Sequence, residues 1–217
     1  RLDFANDSNN AVDRSDLSAA RLTLTATSSQ DFGYFGGGLT SLMPPSNTNI
    51  IDRLDFANDS NNAVDRSDLS AARLTLTATS SQDFGYFGGG LTSLMPPSNT
   101  NIIDRLDFAN DSNNAVDRSD LSSTRDGLAA TSNQDFGYFG GGDPSTSRID
   151  RLDFANDSNN AQDRSDLSVG RDFIAATSNQ DFGYFGGGFN PSLSPNFTNR
   201  IDRLDFANDS NNAVDRS

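Results

Sequence analysis

Aspartate and arginine are the only charged side chains in this 217-residue chain, 30 acidic against 16 basic, and Lys, Glu, His, Cys and Trp are absent. Acid–base and nucleophilic catalysis draw mainly on the missing types. What remains is Asp, Ser, Thr and Tyr. The Asp residues of RLDFAND, DRSD and QDFGYFGGG recur four or five times along the chain. A catalytic site breaks the symmetry of its scaffold, whereas these residues preserve it, so no enzyme is expected. The stretch Asp59–Asp68 (DSNNAVDRSD) offers oxygen ligands of the kind calcium takes. Its spacing is not that of an EF-hand, it has no central Gly, and Arg66 would oppose the ion. Its Asn and Asp residues read as turn caps and arginine partners, and no cofactor is expected.

Two further motifs resemble chemistry without supplying it. A phosphate cradle needs a helix after its glycines and usually a Lys. The run Gly36–Gly38 has neither, and reads as a strand end where backbones crowd too closely for a Cβ. Ser29–Gly33 (SQDFG) matches the start of the Asp-box turn, which is structural even in enzymes. Asn-Asp-Ser sequons at Asn6, Asn58, Asn110, Asn156 and Asn208, with Asn196-Phe197-Thr198, would accept glycans in a secreted eukaryotic setting, but such triplets come cheaply in an Asn- and Ser-rich repeat.

These motifs sit in tandem repeats. Residues 1–52 and 53–104 are identical, and RLDFANDSNN begins at Arg1, Arg53, Arg105, Arg151 and Arg203. One unit is shorter, with the deletion between Gly142 and Arg151. Within a unit, Leu22–Thr27 alternates apolar and polar residues as a half-buried strand does. Phe32–Phe35 reads as a second strand, Ile50–Phe56 as a third with Leu54 and Phe56 on one face, and Ala63–Ser67 as a charged outer edge. Asn58–Asn62 is turn chemistry. Four short strands per repeat are those of a propeller blade. The fold expected is all-β: a partial blade over 1–18, then blades over 19–70, 71–122, 123–168 and 169–217.

The unit resembles a kelch repeat, with Arg73 ahead of the first strand, Gly88–Gly90 closing the second and Ile102–Phe108 as the hydrophobic–acidic strand. Val116 or its neighbour stands where that family usually carries a Trp. It is also similar to GYFGGG-type repeats of marine phage and bacterial surface proteins. The resemblance implies a β-propeller. It does not carry over the copper-radical oxidase activity known on kelch scaffolds, which needs His and Cys ligands.

Net charge is −14, spread at −3 or −4 per repeat, which repels nucleic acid and anionic membranes and keeps a repetitive surface soluble. No apolar run is long enough to span a membrane. Without an initiator Met or signal peptide, the chain reads as a processed product or a window on something longer. The units differ mainly between the glycines and the third strand: LTSLMPPSNTN at Leu39–Asn49 and Leu91–Asn101, DPSTS at Asp143–Ser147, FNPSLSPNFTN at Phe189–Asn199. Variation confined to one loop is how repeat proteins diversify a face. Leu42, Met43, Leu94, Met95, Phe189 and Phe197 are the candidate partner contacts.

The function expected is a structural or adhesive repeat protein of a fibre, phage appendage or cell surface. The alternative is a propeller that binds carbohydrate or protein through the variable loops. Both termini supply third and fourth strands, so they cannot complete one another's blade, and Leu2 and Phe4 would be left unburied. Self-association, or neighbouring repeats of a longer chain, would relieve this.

Overall fold

The computed structural model describes Arg1, Ala5 and residues 10–216. Expectations resting on Leu2, Phe4 and the Asn6 sequon lie outside the described residues. Four small antiparallel sheets are arranged as a four-bladed β-propeller, with no α-helix among the described residues. The first blade orders β1 (Thr25–Ser28), β2 (Phe32–Gly36), β5 (Ile50–Asp55) and β6 (Val64–Asp68). Between β2 and β5 a small hairpin, β3 (Leu39–Leu42) with β4 (Pro45–Asn47), forms a separate two-stranded sheet.

The second blade repeats this with β7 (Thr77–Ser80), β8 (Phe84–Gly88), β11 (Ile102–Asp107) and β12 (Val116–Asp120), and its side hairpin is β9 (Leu91–Leu94) with β10 (Pro97–Asn99). The third comprises β13 (Ala129–Ser132), β14 (Phe136–Gly140), β15 (Arg148–Asp153) and β16 (Gln162–Asp166). The fourth comprises β17 (Ala175–Ser178), β18 (Phe182–Gly186), β19 (Ile201–Asp205) and β20 (Val214–Asp215).

Two strand boundaries differ from expectation for local reasons. The inner strand begins at Thr25, because Thr23 takes a left-handed backbone (φ 56°) and Leu22 makes only an isolated bridge to Leu39. The third strand stops at Asp55, whose carboxylate accepts the Ala57 amide at 2.8 Å and caps a 3-10 turn over Phe56–Asn58. Phe56 therefore leaves the strand instead of sharing a face with Leu54. A bulge between Ile51 and Asp52 lets both of these consecutive side chains point inward.

The core lies between blades. Tyr34, Ile51 and Leu69 of the first pack with Leu76, Phe87, Leu106 and Ala115 of the second, all seven buried. The same seven positions meet at the next two joints, around Tyr86 with Phe139 and Tyr138 with Phe185. The third strand's Leu is thus an inter-blade residue, as expected. Gly36 is required here: a Cβ on it would stand 2.7 Å from the Phe87 ring, and Gly88 and Gly140 meet Phe139 and Phe185 at the same distance.

Inside each blade a guanidinium fixes the sheet. Arg73, fully buried, donates to Asp104 Oδ2 at 2.6 Å and to the carbonyls of Gly89, Ile102 and Phe87. Burial pulls the Arg73 pKa down, and Asp104 opposes that pull. The inward turn of Asp104 at the bulge makes this pair possible.

Candidate functional site

The variable loops gather on one side of the blades. Asn47 Nδ2 donates to the carbonyls of Leu91 and Thr92, and Asn99 Nδ2 to that of Asp143, so the first blade's loop leans on the second and the second's on the third. Leu42 (59% exposed) and Met43 (92%) crown the first hairpin. Met95 (79% exposed) occupies the same place on the second, with Leu94 half-buried. Phe189 and Phe197 come together on the fourth blade, ring centroids 5.6 Å apart, joined by a β-bridge. The six candidate residues therefore occupy three blades. Only the two phenylalanines form a pair across one loop.

Beside that pair stands Phe173, which the sequence pattern does not single out. Phe173, Gly188, Phe189, Phe197 and Thr198 line a shallow hollow of about 530 Å³. Phe173 is 62% exposed and holds a left-handed backbone at φ 49°. It belongs to a ladder in which Thr75 N donates to Thr23 O, Gly127 N to Thr75 O and Phe173 N to Gly127 O. Bulky residues rarely adopt that conformation. A Cβ on Gly127 would lie 3.3 Å from the Phe173 ring, so the glycine leaves room for it.

The preceding position changes character along the chain. It is Leu22 and Leu74 in the first two blades, then Asp126 and Asp172. Burial raises the pKa of both carboxyls, and the nearby Asp143 charge adds to it. Asp126 accepts from Thr75 Oγ1 at 2.9 Å, whereas Asp172 keeps a buried Oδ1 without a hydrogen-bond partner. These residues stand outside the recurring Asp motifs; their departure from the repeat was the signal.

The recurring charges serve the joints. Tyr34 Oη donates to Asp111 Oδ2 (3.0 Å), which also accepts from Arg53 Nη1 (2.8 Å), while Arg66 Nε donates to Oδ1 (2.9 Å). Asp157 and Asp209 receive the same three donors from the blades before them. Burial alone would raise these carboxyls, but the two guanidiniums and the phenol outweigh it and hold them below the usual range. Tyr34, Tyr86 and Tyr138 are pushed well up, by burial and by the facing carboxylate. Phe108 stacks on Tyr34 at 4.9 Å. These charges lie inside the joints, with Asp111 and Asp157 paired to arginines of the preceding blade.

The end blades differ from the middle ones. The inner strands lie against one another in chain order, β1 on β7, β7 on β13 and β13 on β17, and no comparable apposition joins β17 to β1. Beside the first blade opens a cleft of about 860 Å³ lined by Leu24, Phe35, Leu54, Phe56, Asp59 and the stretch around Arg14. Asp59 there accepts from Arg1 and Arg14.

Among the described residues no three carboxylates are grouped to hold a metal ion, and no helix is long and apolar enough to cross a membrane. No protein-family model matches the chain, and no curated protein matches it.

Proposed function

We propose that this chain is a kelch-like, non-enzymatic structural or adhesive repeat protein, a component of an extracellular fibre, phage appendage or cell surface. One observation carries the reading: the recurring polar residues are engaged in holding blade to blade and strand to strand. Tyr34, Arg53 and Arg66 converge on Asp111, and Arg73 closes on Asp104. A motif repeated for such joints serves a scaffold. The evenly spread acidic charge opposes nucleic acid and anionic membranes as partners.

A second reading has its own observation. Phe173, Phe189 and Phe197 present exposed aromatic surface around one hollow, and Phe173 does so in a conformation that costs backbone energy. Strain of that kind accompanies binding sites, and the face suits a glycan or an apolar protein segment. A glycan array and a pull-down separate the readings. The scaffold reading expects no strong specific ligand. A ligand lost when Phe189–Asn199 is shortened to the DPSTS form would favour the binding propeller.

A further inference from the structure

Asp126 and Asp172 hold equivalent places on the third and fourth blades, but the donors that serve the first are missing from the second. Asp126 turns to the blade before it, where the Thr75 hydroxyl donates to it at 2.9 Å and the Asn99 side chain adds a hydrogen bond. One joint further on, Gly127 stands at the Thr75 position and Ser145, on the short DPSTS loop, at the Asn99 position. Glycine has no hydroxyl to give, and Ser145 makes no bond to Asp172. Asp172 is 4% exposed, and its Oδ1 is buried without a hydrogen-bond partner.

Other carboxylates stand near it without a cation. Burial first, then the charges of Asp143 and Asp126, raise the Asp172 pKa, and Asp143 is exposed on its loop. Elsewhere in the chain a buried carboxylate is met by arginine: Asp104 by Arg73 and Asp150 by Arg125, both at 2.6 Å. The three carboxylates are not grouped closely enough to hold one metal ion. A planar guanidinium suits the wider spread, because its donors form a fork and its weak hydration lowers the cost of leaving water.

We propose that Asp172, together with Asp143, receives an arginine side chain of a basic partner protein at the joint between the third and fourth blades. The guanidinium enters past Asp143 and gives Asp172 the donors that Thr75 and Asn99 give Asp126. The partner is a different chain, because 14 of the 16 arginines here already hold ion pairs of their own. The net charge of −14 draws a basic chain toward this surface.

This contact goes beyond the scaffold reading. Its test leaves Phe189–Asn199 intact, so its failure is distinct from the outcome of the loop-shortening experiment. The probe is a blocked Gly-Arg-Gly peptide, titrated at low salt and followed by NMR shifts of the Asp143 and Asp172 amides. Binding on the order of millimolar is expected for one side chain. Asp172→Asn and Asp143→Asn should each weaken it roughly tenfold, the scale of one charge-assisted hydrogen bond. Asp181→Asn removes the same charge from an exposed site on the fourth blade and should leave binding nearly unchanged. The matched lysine peptide should bind more weakly, and the neutral citrulline peptide not at all. Equal weakening by all three variants would reduce the effect to diffuse attraction and overturn the proposal. So would an arginine peptide that does not shift these amides, a lysine peptide that binds as well, or calcium chloride that displaces the peptide at equal concentration.

Discussion

The Tyr34 hydroxyl donates to Asp111 across 77 residues of sequence at 3.0 Å, and two arginines of Tyr34's own blade grip the same carboxylate. Both groups are nearly or fully buried, so this hydrogen bond joins blades where water cannot substitute. The second joint offers the cleanest test. Tyr86→Phe keeps the ring stacked on Phe154 at 4.9 Å and removes only the hydroxyl on Asp157. The expected loss is about 1 kcal/mol in urea unfolding, since Arg105 and Arg118 still satisfy Asp157. Combining it with Asp157→Asn should give a clear coupling energy in a double-mutant cycle.

Arg73→Met should be far more damaging. It leaves Asp104 buried and without its cation, and three backbone carbonyls lose a donor. A loss of about 3–5 kcal/mol is expected. Adding Asp104→Leu should recover a large part of it, because an apolar pair carries no buried charge. Urea midpoints of the single and double variants decide this.

Acid should open the blade joints. Asp111, Asp157 and Asp209 have depressed pKa values in the folded chain. Their stabilisation is complete above the unfolded carboxylate pKa of about 3.9. It is lost as pH falls below that value through the folded pKa. Thermal melts from pH 6 to pH 2 should show Tm falling steeply at the acid end of that range, and Asp157→Asn should flatten the fall.

The blades were legible because alternation, turn residues and a repeat period are local signals. Leu22–Thr27 reads as a strand, and the fold shortens it only where Thr23 turns left-handed. The joints were not legible. Nothing local says that the Tyr of one repeat meets an Asp beyond the following turn, 77 residues on. The burial of Arg73 and Asp104 has no local signal either, because Arg and Asp are seldom fully buried, and only pairing permits it here. At the loops, Phe189 and Phe197 stood out by composition. Phe173 did not, because its significance lies in a backbone angle inherited from the Thr23 and Thr75 positions.

Phe173→Gly should separate stability from recognition. The left-handed backbone suits glycine, as at Gly127 (φ 62°), and the lost ring is 62% exposed. A gain of about 1 kcal/mol is expected from relieved backbone strain. If the hollow binds a ligand, that binding should weaken as Tm rises. A fall in Tm would mean that the ring contributes packing despite its exposure.

Asp172→Asn tests the other departure from the repeat. Asp172 is 4% exposed, sits where the first two blades carry leucine, and has a buried oxygen without a partner. Burial, followed by the charges of Asp143 and Asp126, raises its pKa. A raised carboxyl favours the fold while protonated in both states, below the unfolded pKa of about 3.9. That advantage is lost as pH rises through the folded pKa, because ionisation is then harder in the folded chain. Removing the charge should therefore stabilise the protein at pH 7 by about 1 kcal/mol, the lower end of the cost of a buried unsatisfied group. The difference from wild type should shrink toward zero below pH 4. Paired melts at pH 7 and pH 3.5 measure it, and a variant equally altered at both would show that shape, not charge, governs this position.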